Sequence, residues 1–182
     1  MTARIFDRAF AWQMSQTQAD AAAELLADTA ARLFGQPDQV IAIAGGGIAP
    51  GTAAARRLRV PLLTVRAQHN PTSALYTQAT GKVRCTLDEA VAASLHGRVL
   101  VVDDICGTGA TFDAVTSAVT EAAGPGVRLH TAALCRNAGA TARPAITIWD
   151  ELREWVIFPW ESAPPPGITT RPLPAPVRAH IG

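Results

Sequence analysis

The residues best equipped for chemistry lie together at Asp103-Asp104-Ile105-Cys106-Gly107-Thr108-Gly109-Ala110-Thr111. Ahead of them Val99-Leu100-Val101-Val102 is a short apolar run, rich in β-branched residues and suited to a strand buried on both faces. After them Phe112, Val115, Ala118, Val119 and Ala122 recur at helical spacing until Gly124-Pro125 stops the pattern. The expected order is strand, acid pair, short loop, helix, with the acids where the strand ends. Amides of Gly107 to Thr111 would then emerge at a helix N-terminus, where unpaired N–H groups and the positive dipole end favour a phosphate. Thr108 and Thr111 add hydroxyl donors, and Gly107 and Gly109 let the backbone come close to an anion. Asp103 and Asp104 are acceptors, so their natural partners are vicinal hydroxyls or Mg²⁺. Phosphate, diol and metal side by side describe a phosphorylated sugar.

The elements that must position these groups follow from the rest of the chain. Ser15 and Gln18 form a capping box, and Ala19, Ala22, Leu26, Ala30 and Leu33 then keep helical spacing until Gly35 and Pro37. Val40-Ile41-Ala42-Ile43-Ala44 reads as a buried strand, followed by Gly45-Gly46-Gly47 and an Ala-rich helix ending near Leu58. The glycines match neither dinucleotide fingerprint nor P-loop, because Pro50 replaces a required glycine and Thr52 a required lysine. Leu62 to Val65 is the next strand, residues 66–85 show no sustained period, and Asp88 to Leu95 suits a short helix. Strands are expected again at Val127–Cys135 and Ile146–Ile148. Such alternation implies an α/β fold, a mainly parallel twisted sheet flanked by helices, with ligands at the carboxyl ends of its strands. Residues 1–161 read as one domain. The stretch 162–182 holds Pro164, Pro165, Pro166, Pro172, Pro174 and Pro176, and reads as an extended or disordered tail.

The segment from Val99 to Thr111 resembles the 5-phosphoribosyl-1-diphosphate (PRPP) motif of type I phosphoribosyltransferases. Trp155-Val156-Ile157-Phe158-Pro159-Trp160-Glu161 resembles the C-terminal signature of the xanthine-guanine and related purine members. The resemblance implies transfer of a phosphoribosyl group to a nitrogenous base, purine-like by the second signature, giving a nucleoside 5′-monophosphate and diphosphate. It implies catalytic roles for Asp103 and Asp104, Mg²⁺ on Asp104, and the 5′-phosphate on Gly107, Thr108, Gly109, Ala110 and Thr111. Ala44-Gly45-Gly46-Gly47 falls where the family has its diphosphate loop. The aperiodic stretch matches the flexible lid in place, with Tyr76, Lys82 and Arg84 as candidates to close over the diphosphate. A small C-terminal hood would begin at Trp155, which would stack on the base while backbone groups of Val156 and Ile157 read its edge. Arg136 falls near a family lysine directed at the exocyclic oxygen of six-oxopurines. One departure stands out: many of those enzymes carry an aspartate at the position of Gly107, where it handles the base proton.

Bulk properties bound the class of protein. With 182 residues, 48% of them hydrophobic, the chain suits a single sizeable core. A net charge of +1 gives no footprint for nucleic acid or a membrane surface. Asp7 interrupts the start where a signal peptide needs an apolar run, so the expected location is the cytoplasm. Cys85, Cys106 and Cys135 lack metal or disulfide spacing. The resemblance further implies a homodimer or homotetramer. Two alternatives remain open at this stage: the same chemistry on a pyrimidine or other nitrogen heterocycle, and a non-catalytic PRPP-sensing regulator.

Overall fold

A computed structural model describes residues 3–68, 83–164, 166–176 and 178–182. The chain opens with β1 (Ala11–Gln13) and α1 (Gln16–Phe34). Ser15 caps α1 as its sequence demands: its hydroxyl accepts from the Gln18 amide at 3.2 Å, and the Gln18 side chain returns to the Ser15 amide at 2.9 Å. Then come β2 (Gln39–Ala44), α2 (Ile48–Leu58), β3 (Leu62–Gln68), β4 (Arg84–Thr86), α3 (Glu89–Ser94) and β5 (Arg98–Cys106). The remainder is α4 (Ala110–Ala122), β6 (Arg128–Asn137), β7 (Ile146–Leu152), β8 (Trp155–Ile157), β9 (Thr170–Pro172) and β10 (His180–Ile181). Of the expected lid residues, Tyr76 and Lys82 lie outside the described residues, and Arg84 begins β4.

Seven strands form the main sheet in the order β10-β7-β6-β5-β2-β3-β4, parallel at its centre, with antiparallel β10 and β4 at the edges. Its strands are apolar on both faces, as the continuous Val/Ile/Leu runs require when helices cover both sides. Val40, Leu100, Val102, Leu134 and Ile146 face the layer that contains α1 and α2. Ile41, Ile43, Val99, Val101 and Ala133 face the layer of α4, joined by Phe112, Val115 and Val119. Helix α2 comes very near β2 because its contact residues are small: a Cβ on Gly51 would lie 2.7 Å from that of Ala42. Among the described residues no helix is long and apolar enough to cross a membrane.

Two features depart from the sequence-based expectation or add to it. The acids were expected at the end of a strand, yet β5 continues through them to Cys106. It does so because β6 runs alongside, pairing Asp103 with Ala133, Ile105 with Cys135 and Cys106 with Arg136. The Pro-rich tail, expected extended or disordered, is extended and lies on its own chain. There β9 joins a second, all-parallel sheet of order β8-β1-β9, which forms the hood, and β10 closes the edge of β7. Proline is tolerated because Pro172 sits on the edge strand of that small sheet. Leu173 is only 2% exposed, its amide donates to the Gln13 carbonyl at 3.0 Å, and Trp149 donates to the Pro174 carbonyl at 3.0 Å.

Arg136 was expected to face a base, and its guanidinium is instead bonded to groups of its own chain. Its Nε is paired with Asp150, one terminal nitrogen donates to the Ala140 carbonyl at 3.2 Å, and the other to Glu151 at 3.4 Å. A guanidinium 3% exposed must satisfy its donors inside the protein, and Asp150 supplies the acceptor. Burial of Asp150 would raise its carboxyl, but the Arg136 hydrogen bond and charge win and hold it below the usual range.

Leu173→Ala is expected to lower unfolding free energy by about 2–4 kcal/mol in urea titration; unchanged stability would show that the tail is not seated in the core. Asp150→Asn strips a buried guanidinium of its nearer charged partner and is expected to cost about 3 kcal/mol at neutral pH. Because the folded carboxyl titrates low, that contribution is present above the ordinary carboxylate range, near pH 4, and fades as pH falls through the folded value. Equal stability of the two proteins at pH 7 would contradict the pairing.

Candidate active site

The chain builds outward from β2 in two directions, to β3 on one side and to β5, β6 and β7 on the other, so the β2/β5 boundary is a switch point of the sheet. Here the two strands part. Their pairing ends at Ala42 with Val102, although β2 continues beside β3 to Ala44 and β5 beside β6 to Cys106. A cleft of about 160 Å³ opens in the fork.

Ala44, Gly46, Asp103, Asp104, Gly107, Thr108, Gly109 and Thr111 all line it. Residues separated by some sixty positions in sequence are thus brought to one crevice, as the expected site requires. Gly46 is pressed against the acid pair, for a Cβ there would lie 1.8 Å from Asp104 Oδ2. Three expected members stand just outside the lining. Gly47 packs its backbone onto β5, where a Cβ would meet the Val102 carbonyl at 2.6 Å. Gly45 turns the loop at φ 96°, and Ala110 starts α4.

The loop that follows β5 is braced from behind. Thr108 accepts through its carbonyl from both the amide and the hydroxyl of Thr141, each at 3.2 Å. Gly109 has φ 100° and lies so near Ala142 that a Cβ would fall 2.2 Å from the alanine's own, so only glycine fits. The first helical hydrogen bond of α4 runs from the Asp113 amide to the Gly109 carbonyl at 3.0 Å. The amides of Ala110, Thr111 and Phe112 come before it; Ala110 N donates to the Thr108 hydroxyl at 3.4 Å. Those donors, with the dipole behind them, point where an anion would sit.

Asp103 and Asp104 are each 8% exposed. Burial pushes both carboxyls up, and for Asp103 the neighbouring Asp104 charge adds to the effect. The Trp160 indole N–H donates to Asp104 at 3.4 Å and opposes the rise, and the Asp103 carboxylate accepts from the Asp104 amide at 2.9 Å. Two partly desolvated acids at a cleft mouth favour a ligand rich in hydroxyls or a cation. Cys106 lines the same cleft, but burial raises its thiol to about 12 and Sγ rests 3.6 Å from the Ala142 carbonyl, so it fills space.

The hood carries an aromatic surface of its own. Trp155 is half-buried, its ring 5.5 Å from that of Phe6 at 42°. Val156 and Ile157 are buried in the small sheet, and the Ile157 carbonyl accepts from the Met14 amide at 3.0 Å. Neither these three nor Arg136 lines the cleft floor. Phe158 stacks on Trp160 at 5.1 Å, and Glu161 accepts from the Phe158 amide at 3.0 Å, which holds Trp160 toward Asp104.

Sequence reasoning missed Arg4 and the role of Trp160. Arg4 lines the cleft over Gly107, where a Cβ would come within 2.2 Å of its Nε. Burial lowers its guanidinium, while Asp104 and Asp103 draw it back up. No spacing signal could have linked Arg4 to a loop a hundred residues away. Trp160 lay inside a quoted signature, but nothing in one dimension says that its indole meets an acid of β5.

The phosphoribosyl transferase domain model matches residues 13–164. No curated protein matches the chain by sequence. Among solved structures, a purine phosphoribosyltransferase from Pyrococcus horikoshii superposes with a TM-score of 0.65 at 24% identity, over 84% of this chain and 95% of that one. A xanthine-guanine-hypoxanthine phosphoribosyltransferase from Helicobacter pylori gives 0.68 at 18% identity, over 82% and 93%. A Neisseria gonorrhoeae protein solved with bound ppGpp gives 0.66 at 20% identity, over 84% and 90%. At such identities the structures speak for the fold, and the family model for descent. With the acid pair, the glycine loop and the α4 amides converging on one crevice, the chain belongs to the phosphoribosyl transferase domain family and is a PRPP-dependent glycosyltransferase.

Proposed function

We propose that the protein transfers the phosphoribosyl group of PRPP to a ring nitrogen of a purine-type base, releasing diphosphate and a nucleoside 5′-monophosphate. The observation that carries this is the shared lining of one cleft by Asp103, Asp104 and the Gly107 to Thr111 loop. The 5′-phosphate takes the first-turn amides of α4 with the hydroxyls of Thr108 and Thr111. Asp103 and Asp104 accept from the ribose hydroxyls, which fixes the sugar with its anomeric carbon toward the hood. Ala44 and Gly46 border the other wall, where small residues let backbone amides approach the departing diphosphate.

Displacement breaks the bond from the anomeric carbon to the diphosphate oxygen, and the electron pair leaves with the diphosphate. The base nitrogen forms the new bond and surrenders its proton to solvent. Positioning carries most of the rate in such a reaction, since the cleft holds sugar and base in line.

Among the described residues no group of three or more His, Cys, Asp or Glu converges as an all-protein metal cage. The two buried carboxylates fit Mg²⁺ held the way it prefers, on one or two acids with water and substrate oxygens completing the shell. Bound there, by Asp104 in particular, Mg²⁺ would offset charge on the diphosphate. Support for a purine acceptor comes from the half-buried Trp155 ring, a flat platform for a heteroaromatic base, and from the named activities of the Pyrococcus and Helicobacter neighbours. We infer cytoplasmic catalysis by a homodimer or homotetramer, as the resemblance implies, with Tyr76, Lys82 and Arg84 closing the lid.

Purified protein incubated with PRPP, Mg²⁺ and a panel of purines and pyrimidines should release diphosphate with at least one purine. Asp104→Asn, which keeps the size and an acceptor for Trp160, should lower kcat/KM by about 100-fold or more while moving Tm by less than about 4 °C. Release with no base, or an Asp104→Asn variant as fast as the wild type, would refute the assignment.

A further inference from the structure

The segment joining β6 to β7 reaches the Gly107 to Thr111 loop from behind, and Arg136 stands at its root. Register sets Arg136 beside Cys106, the last residue of β5, level with the start of that loop. All three branches of its fork are engaged: Nε by Asp150, one terminal nitrogen by the Ala140 carbonyl and the other by Glu151. Charge balance alone does not call for a buried guanidinium here, because the exposed Arg143 also reaches Asp150 at 3.8 Å and Glu151 at 3.6 Å. What the buried fork adds is its hold on Ala140.

That residue is fixed at both ends, since its amide donates to the Asn137 carbonyl at 3.0 Å while its carbonyl accepts from Arg136. The next residue therefore has a fixed place. Thr141 gives both its amide and its hydroxyl to the Thr108 carbonyl, and Ala142 presses on Gly109. A continuous set of bonds runs from Asp150 through Arg136 and Ala140 to one peptide of the loop.

The orientation of that peptide decides where a donor points. A trans peptide is planar with its C=O and N–H on opposite sides, and no cis bond occurs among the described residues. Holding the Thr108 oxygen against Thr141 turns the Gly109 N–H away from Thr141. Gly109 has no side chain, and glycine takes either sign of φ at little cost, so nothing intrinsic to the chain stops this peptide from turning over. Turned over, it would present a carbonyl oxygen in place of an N–H, and a phosphate would be repelled.

We propose that Arg136 and Thr141 are positioning residues for the 5′-phosphate, locking the Thr108–Gly109 peptide in its donating orientation. Thr141 holds the carbonyl itself, and Arg136 acts through Ala140. This rests on the phosphoribosyl transfer reading above and adds to it two residues that do not line the cleft.

The test is calorimetric titration of ribose 5-phosphate and of inorganic diphosphate, each with Mg²⁺, into wild-type protein and variants. The first probe needs the locked loop; the second is assigned to the Ala44 and Gly46 wall. Thr141→Val keeps the shape of an exposed side chain and removes one of two donors, so ribose 5-phosphate should weaken about fivefold while diphosphate stays within about twofold. Thr141→Ser should restore the wild-type affinity. Arg136→Lys keeps the buried charge without the fork and should weaken ribose 5-phosphate about tenfold or more, again sparing diphosphate. Combined, the two losses should fall short of their product, because both act on one peptide. Unchanged ribose 5-phosphate affinity in either variant would overturn the lock, and Thr141→Val decides alone should Arg136→Lys fail to fold. Equal losses for both probes, losses that multiply, or no binding of ribose 5-phosphate to the wild type would overturn it as well. Losses confined to ribose 5-phosphate, in a protein that releases no diphosphate from PRPP with any base, would uphold the lock and refute the transfer reading.

Discussion

The chemistry at the carboxyl end of the sheet depends on β5 being hydrogen-bonded along both edges as far as Val102 and along one edge beyond it. The pairing with β6 keeps Asp103 and Asp104 on a rigid strand, so the carboxylates are held without a loop's freedom. The loss of β2 as a partner opens the fork that makes the cleft. A strand paired on both sides to its end would leave no room for a sugar, and one released by both neighbours would not fix the acids. The cost is two acids in a poorly hydrated setting, which is why both carboxyls are pushed upward. A hydrogen bond from Trp160 and the charge of Arg4 offset part of it.

That arrangement ties together features that look separate. Gly46 has to be small because Asp104 occupies the space of its side chain, Gly47 because β5 does, and Gly109 because Ala142 does. The loop at Thr141 and Ala142 holds the Gly107–Thr111 loop by its back, ahead of the first-turn amides of α4. The hood is built from three distant pieces, β1, β8 and the tail strand β9, so the aromatic wall depends on the Pro-rich segment being seated.

Much of this was legible in one dimension, for reasons that can be stated. Buried parallel strands are continuous apolar runs, helices carry caps and periodicity, and the acid pair with its glycine loop is local in sequence. These carried the α/β class and the α1 capping box, and pointed to residues that meet in one cleft, Ala44, Gly46, Asp103, Asp104, Gly107, Thr108, Gly109 and Thr111. What stayed hidden is long-range. The extent of β5 past the acids depends on β6, thirty positions further along the chain. Arg136 was expected to face a base but is claimed by Asp150, a partner visible only once β6 and β7 lie side by side. The tail has no period to read, because its order comes from Leu173, Trp149 and an edge pairing. Arg4 comes from an N-terminal stretch with no motif at all.

The most direct measurement of the central claim is the position of the ligand itself, in a crystal structure with PRPP and Mg²⁺ bound. The terminal phosphate should accept from the amides of Thr108 to Thr111, with the ribose hydroxyls donating to Asp103 and Asp104 in the β2/β5 fork. A phosphate seated elsewhere, with both carboxylates clear of the sugar, would contradict the account at its root.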